Sequence, residues 1–464
     1  MAKTIAVLGA LAFLAVLAAP VAAQDEAGPS GGSEGSEGPG GAQAAAAAGP
    51  ACDEDDGGLD LAPGWCARVF ASELGAVRNL AVASDGTVYA SRKDEGRPAG
   101  VALRDADGDG RAERREAFGP HGPAHDVLVE APAEGEGGAV WLATDRRILR
   151  FPRAEGALRP TGDAVAVVED LPLQRQHARK AIALGPADPE AGGEVLFVNV
   201  GAPSNACQEE MRTPRSPGLT PCPQLESHAG IWRFDAEATG QDQADGTRFA
   251  TGLRHTLALA VHPGTGRLFG VVNGRDQLHS LWGFSVEQNA RLPAEEMVAI
   301  DRGDDFGWPY CYHDGQKDRK VLAPEYGGDG EEVGRCGAME PPVLAFPAHW
   351  APMDLAFARA GHGGTGGGDA ADPGAPEAYV AYVAFRGSWN RAPLPQEGYR
   401  VVRVPFADGM TTGRYATFAI GAESDTQFRF TGVAVGPDGA VYAAAENVGR
   451  VWRIVPTSAS TSMP

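Results

Sequence analysis

Apolar and polar positions alternate along this chain in a phrase that recurs six times. The copies read NLAVASDGTVYASR from Asn79, HDVLVEA with GGAVWLATDRRILRF from His125, and KAIALGP with GGEVLFVNVG from Lys180. They continue as LALAVHPGTGRLFGVVNG from Leu257, DLAFARAG with EAYVAYVAFRG from Asp354, and GVAVGPDGAVYAAAENVGRVWRI from Gly432. Each copy is an alternating strand, a Gly/Asp/Pro turn or a longer break, and a second alternating strand, which is the signature of a β-hairpin. A lone hairpin cannot bury its own apolar face, so the copies must stack on one another. Six irregularly spaced copies predict an all-β, six-bladed β-propeller whose long insertions become loops on its faces. The hairpins alone are also compatible with an array of β-sandwiches.

The ends of the chain read differently. Lys3 precedes an apolar run from Thr4 to Leu17, and Val21, Ala22 and Ala23 form a small-residue cleavage site before Gln24. Residues 1–23 therefore read as a secretory signal peptide, with an uncleaved anchor as the alternative. Residues 24–50 hold Gly, Ser, Glu and Ala without an aromatic side chain, the composition of a disordered linker. Residues 51–460 are left as a single propeller domain, broken by a Gly-rich insertion from Gly361 that reads as a loop. No segment after the signal approaches the ~20 apolar residues that span a bilayer, so no membrane span is expected in the mature chain. A periplasmic or secreted location follows from the signal.

Composition narrows the partners. The net charge of −21 is spread along the chain and disfavours nucleic acid, whose phosphates require a basic surface. Six cysteines fall in three local pairs of an exported chain, predicting disulfides Cys52–Cys66, Cys207–Cys222 and Cys311–Cys336 rather than metal ligation, since no haem or zinc motif is present.

Several segments carry candidate chemistry. In DADGDGRAERRE the residues Asp105, Asp107, Asp109, Gly110 and Glu116 match the spacing of a calcium loop, although the flanks read as strand and loop rather than helices. The segment is either a structural calcium site on a blade hairpin or an acidic turn. His177 lies just before an apolar blade strand, flanked by Arg175, Arg179 and Lys180; such cations would keep an imidazole neutral and able to act as a base. Arg254, Arg386 and Arg429 precede or adjoin inner-strand patterns, and together could form a site for a multiply anionic ligand at one end of the central channel. The segment from Asn273 to Asp276, with the acidic loop and GWPYC turn that follow, offers main-chain carbonyls of the kind calcium favours.

Taken together, GLRHTLALAVHP, NGRDQLHSLWG through DDFGWPYC, FPAHWAPMDLAF, FRGSWNR with GYRVVRVPF, and the closing GVAVGPDGAVYAAAENVGRVWRI resemble the PQQ-dependent glucose/sorbosone dehydrogenase family, soluble aldose sugar dehydrogenase-like six-bladed propellers. The resemblance runs from about Leu61 to Pro456. It implies PQQ and calcium as cofactors and oxidation of an aldose or related sugar aldehyde to its lactone or acid, with electrons passing to an external acceptor. It makes His177 the catalytic base, assigns Arg254, His255, Arg386 and Arg429 to the cofactor, and gives the calcium the main-chain carbonyls of Asn273 and Gly274. Four positions depart from the family. His255 stands where Asn is usual, Ala202 where one branch has an Asp that orients the base, Arg386 where another branch has His, and Glu446–Asn447 where Asp–Asp is usual. Without a carboxylate orienter His177 is expected to be a weaker base. A non-catalytic secreted propeller that binds a carbohydrate or protein partner is the alternative of a different class.

Overall fold

The computed structural model describes residues 52–130, 138–154, 156–186, 193–361, 378–423 and 427–457. The predicted signal and linker, and nearly all of the insertion after Gly361, lie outside them. Each predicted hairpin forms the two innermost strands of a four-stranded antiparallel blade, and six such blades follow one another along the chain. The inner strands are Val77–Val82, Ala124–Glu130, Ile182–Pro186, Thr256–Val261, Pro352–Arg359 and Phe430–Val435, in blades 1 to 6. The ring is closed by exchange of ends: Trp65–Ala71, near the start of the described chain, pairs as the outermost strand of blade 6 with the final strand, Arg450–Pro456. Leu59–Leu61 adds an edge to blade 5.

The alternation of each strand places apolar side chains on both faces of its blade, so the core is a set of layers between neighbours. Tyr89, Phe118, Val140 and Phe151 join blades 1 and 2, while Phe269, Tyr379, Phe385 and Phe406 join blades 4 and 5. Phe70, Val88, Leu103 and Tyr442 join blades 6 and 1. Two buried carboxyls tie inner strands directly: Asp126 Oδ2 accepts from the Ile182 N–H and Asp354 Oδ2 from the Val433 N–H, both at 2.8 Å. Asp126 and Asp354 also line a central channel of about 370 Å³ that runs along the inner strands.

All three predicted disulfides are present. Cys207–Cys222 staples an insertion in blade 3 and Cys311–Cys336 one in blade 4, and both pack with Trp308, Tyr310 and Ala202 in one cluster. These two insertions thus form a joint wall over one end of the ring.

The acidic DADGDG segment joins strands Pro98–Arg104 and Arg114–His121 of blade 1. Carboxylate oxygens of Asp105, Asp107, Asp109 and Glu113 lie within 4.8 Å of one another, but the predicted Glu116 is not among them. The strand resumes at Arg114, so Glu116 enters the ladder opposite Ala102, and its carboxylate lies 3.4 Å from Arg159 and 3.8 Å from Arg114.

Trp452 carries the closure in one side chain. It is fully buried, packs at a tilt against Phe428 with ring centroids 4.9 Å apart and donates from Nε1 to the Gly57 carbonyl at 3.0 Å, holding the N-terminal segment to the last blade. Trp452→Ala is expected to lower unfolding stability by about 3–5 kcal/mol in urea denaturation; a loss below ~1 kcal/mol would show that the ring closes without it.

Candidate active site

Every inner strand begins at the same end of the ring, so the loops entering the inner strands and those joining second to third strands meet there. His177 lies on the loop entering blade 3, and Arg254 and His255 immediately precede the inner strand of blade 4. Asn273, Gly274 and Asp276 follow the second strand of blade 4, Leu268–Val272, and Glu295 opens its third, Glu295–Ile300. His349 and Ala351 lead into blade 5, and Trp389 follows its second strand, Tyr379–Phe385. Together these ten residues line one cavity of about 170 Å³. Left-handed backbone concentrates around it, at His177 (φ 53°), Gln277 (φ 65°), His349 (φ 64°) and Ala351 (φ 58°). Such conformations cost non-glycine residues on the order of 1–3 kcal/mol each and persist where surrounding contacts enforce them.

Arg254 organises the cavity floor. It is buried, and its N–H groups make five contacts: Nε to the Asn205 carbonyl at 3.2 Å, Nη1 to the Gly274 and Asn273 carbonyls at 2.7 and 3.4 Å, and Nη2 to Asn205 Oδ1 and Asp276 Oδ2 at 3.0 and 3.1 Å. Asn205 in turn accepts from the Asp276 N–H and donates to its carbonyl, locking the Asn273–Asp276 turn. Below the turn, Glu295 accepts from the Gly274 N–H at 2.7 Å and the Ala351 N–H at 3.1 Å. Burial pushes the Glu295 carboxyl up to about 7, whereas Asp276, equally enclosed, is carried below its ordinary value because Arg254, His349 and Arg212 outweigh its burial.

His177 Nδ1 lies 2.7 Å from the Ala202 carbonyl. A carbonyl only accepts, so Nδ1 carries the proton and Nε2 presents its lone pair. The main-chain oxygen of Ala202 therefore fixes the orientation and tautomer of the ring, although its side chain cannot; a neutral carbonyl adds no negative charge, so the lower basicity expected without a carboxylate stands. Gly201 permits this approach, because a Cβ there would stand 2.6 Å from the His177 carbonyl oxygen and 2.7 Å from His255 Nδ1. The His177 and His255 rings lie 4.8 Å apart, and His255 Nδ1 is buried without a hydrogen-bond partner. The His177 imidazole is pulled down to about 3, first by burial and then by Arg254, not by the sequence neighbours Arg175, Arg179 and Lys180.

The expected convergence of three arginines on His177 holds for Arg254 alone. Arg386 belongs to a second cluster on the same face, where Glu446 meets Arg78 Nη1 at 2.7 Å, Lys93 Nζ at 2.7 Å and Arg386 Nε at 2.5 Å. Burial raises the Glu446 carboxyl, but these three cations bring it down to about 2. Arg429 rests on the Tyr399 ring, 5.5 Å from its centroid, and its N–H donates to Asn447 Oδ1 at 2.8 Å. The sequence departure at Glu446–Asn447 thus supplies a carboxylate to the Arg386 guanidinium and an acceptor to the Arg429 main chain. Across both clusters five cations, Arg78, Lys93, Arg386, Arg254 and Arg212, face the two ionised carboxylates Glu446 and Asp276. Within a chain of net charge −21, this mouth is locally positive.

Asp276 was legible only as part of the NGRD segment. Glu295, His349, Trp389, Arg78 and Lys93 were not singled out; a topological rule, that residues just before an inner strand or just after a second strand share one mouth, would have found His349, Trp389 and Lys93, but not Glu295 and Arg78, which lie within strands.

Because its folded-state value lies below 6.5, His177 stays neutral as pH falls, and its contribution to stability is complete above pH 6.5 and lost on the way down to about 3. Nitrogen-15 NMR of the histidine rings should find His177 neutral, with its proton on Nδ1, throughout pH 8 to 5; half-protonation near pH 6.5 would contradict this geometry.

A family model described as TrAA12-like matches residues 59–457. Among solved structures, the calcium structure of the Trichoderma reesei carbohydrate-active enzyme of family AA12 matches with a TM-score of 0.68 at 18% identity, covering 86% of this chain and 97% of that one. The holo PQQ domain of pyranose dehydrogenase from Coprinopsis cinerea matches with a TM-score of 0.66 at 17% identity, covering 86% and 97%. The apo soluble aldose sugar dehydrogenase of Escherichia coli matches with a TM-score of 0.53 at 15% identity, covering 85% and 100%. At these identities the structural likenesses establish the fold alone, and no curated protein sequence matches the chain. With nearly the whole described ring spanned by one family model, the chain belongs to the TrAA12-like family.

Proposed function

We propose that this protein is a PQQ- and calcium-dependent sugar oxidoreductase that converts an aldose or related sugar aldehyde to its lactone or acid and passes the electrons to an external acceptor. The observation that carries the reading is the pairing, in one cavity, of an oriented neutral imidazole with a buried guanidinium beside main-chain carbonyls. The AA12 enzyme and the pyranose and aldose sugar dehydrogenases of the same fold support it.

The residues present fit both groups. Calcium takes hard oxygen donors, and the Asn273 and Gly274 carbonyls, Asp276 and Glu295 all line the cavity. Arg254 now donates to both carbonyls, so it would have to share or release them as the ion binds. A multiply carboxylated quinone suits the cation excess at the mouth, with Arg254 and His255 at its floor and Arg386 and Arg429 on the neighbouring blades. When bound, the quinone supplies a two-electron acceptor whose carbonyl calcium polarises.

The chain itself handles the proton. Nε2 of His177 takes the substrate's hydroxyl proton while Nδ1–H remains on the Ala202 carbonyl, so the ring cannot turn as its charge changes. The imidazolium forms in an enclosed site beside Arg254, which favours its rapid deprotonation once the hydride has left the sugar carbon. The signal-like N-terminus and the three disulfides support a periplasmic or secreted location. Among the described residues no helix is long and apolar enough to cross a membrane.

Titration of chelator-treated protein with PQQ and calcium, followed by absorbance and by dye reduction with a panel of aldoses, is expected to give stoichiometric uptake and sugar-dependent reduction. No uptake at micromolar quinone would favour a binding propeller instead. His177→Ala should lower turnover about 10²-fold or more with quinone affinity retained; unchanged turnover would remove His177 as the base. Arg386→Ala should weaken quinone binding by roughly 1.5–3 kcal/mol, and an unaltered titration would place Arg386 outside the cofactor site.

A further inference from the structure

Trp389 is the anomaly of the cavity wall. It is 58% exposed, the most exposed of the cavity's lining aromatic side chains, although the indole is among the residues folding most strongly buries. Single exposed apolar residues are ordinary when they sit on loose surface, but this one does not. Its neighbours Ser388, Asn390 and Arg391 are all buried. Ser388 N–H donates to the Glu397 carbonyl at 2.8 Å, Ser388 Oγ accepts from the Glu397 N–H at 3.0 Å, and Tyr399 Oη donates to the Ser388 carbonyl at 3.0 Å. Arg391 donates to the Ala290 carbonyl at 2.6 Å and to Glu397 at 2.7 Å, while Asn289 Nδ2 donates to the Asn390 carbonyl at 2.7 Å. The chain is thus pinned on both sides of an indole that it holds out over the same cavity as His177 and Arg254.

On the blade 3 insertion a second exposed apolar side chain, Met211, 44% exposed, has its sulfur 2.9 Å from Nε2 of Gln176, the residue before His177. An apolar plate on the blade 5 side and polar groups at the floor suit a ligand that is apolar on its flat face and polar around its edge. A pyranose ring has that character, with axial C–H groups on its faces and hydroxyls at its rim.

We propose that Trp389 is the stacking platform of the substrate subsite, binding one C–H face of a pyranose so that its anomeric hydroxyl is directed toward Nε2 of His177. This rests on the sugar-oxidising reading and adds to it the side chain that holds the sugar ring. Open-chain or short aldoses, which offer no such face, would gain nothing from the indole. The pinned loop means that the plate is ordered before substrate arrives, so binding loses little side-chain entropy.

The test uses the reconstituted protein with β-glucose, whose faces carry only axial hydrogens, and glyceraldehyde, which has no ring. Trp389→Ala should raise KM for the pyranose about tenfold or more with kcat and quinone affinity nearly unchanged, Trp389→Phe should keep KM within a few-fold of the parent, and glyceraldehyde kinetics should not move. An unchanged pyranose KM in Trp389→Ala, an equal rise for glyceraldehyde, or a matching loss of quinone affinity would each overturn the platform while leaving the oxidoreductase reading standing. Saturation-transfer NMR of β-glucose with the isolated protein separates the two ideas. Transfer to axial ring protons that disappears in Trp389→Ala, in a protein that oxidises no sugar, would uphold the platform and remove the oxidoreductase reading; no transfer and no turnover in the parent protein would remove both.

Discussion

The buried guanidinium of Arg254 is the interaction on which the site depends. It touches the blade 3 insertion through Asn205, the blade 4 turn through Asn273 and Gly274, and the carboxylate of Asp276 at the same time. A buried cation is tolerated only when its donors are satisfied and an opposite charge is near, and here both conditions are met by residues far apart in sequence. Removing it would leave Asp276 enclosed without its nearest cation and free the turn that carries the candidate calcium carbonyls. After burial, its charge is the next cause of the lowered His177 imidazole, so the structural tie and the electrostatics of that ring meet in one group.

The ring explains why such residues can meet. Blades 1 to 4 are local hairpin meanders while blades 5 and 6 each take a strand from the N-terminal side, and apolar layers between blades hold the circle with no single centre. The entrances to all six inner strands then share one face, while the pleated strands are occupied with packing. Most of the candidate site is carried by loops, with Glu295 and Arg78 added from strand ends, and the left-handed residues at His177, His349 and Ala351 mark where those loops bend sharply.

That division also sets what the sequence could tell. The six alternating hairpins were readable because strand period and turn chemistry are local, and the three disulfides because their loops are short. The strand exchange that closes blade 6 was not, since Trp65–Ala71 pairs with a strand nearly four hundred residues away. In the site, His177 and Arg254 were singled out from their positions beside inner strands, whereas His255, Asn273 and Gly274 took their roles from the family resemblance. Glu295 and His349 were missed because a buried carboxyl inside an apolar strand and a histidine in a Pro-rich loop look ordinary until the turn they support is in place. Ala202 shows the limit most clearly: the residue name predicted a lost orienter, while the backbone oxygen, which has no signature in sequence, supplies one. Glu116 failed for the opposite reason, as a correct spacing overruled by strand register.

The account's central claim is that one locally positive, oxygen-lined mouth receives both the quinone and its cation. The most direct measurement is a crystal structure of the protein equilibrated with PQQ and calcium, with the metal identified by anomalous scattering. The account predicts tricyclic density in the cavity between His177 and Arg254 and a calcium peak against the Asn273 and Gly274 carbonyls. A saturated crystal with that cavity free of quinone, or with calcium held only in the Asp105 hairpin, would contradict it.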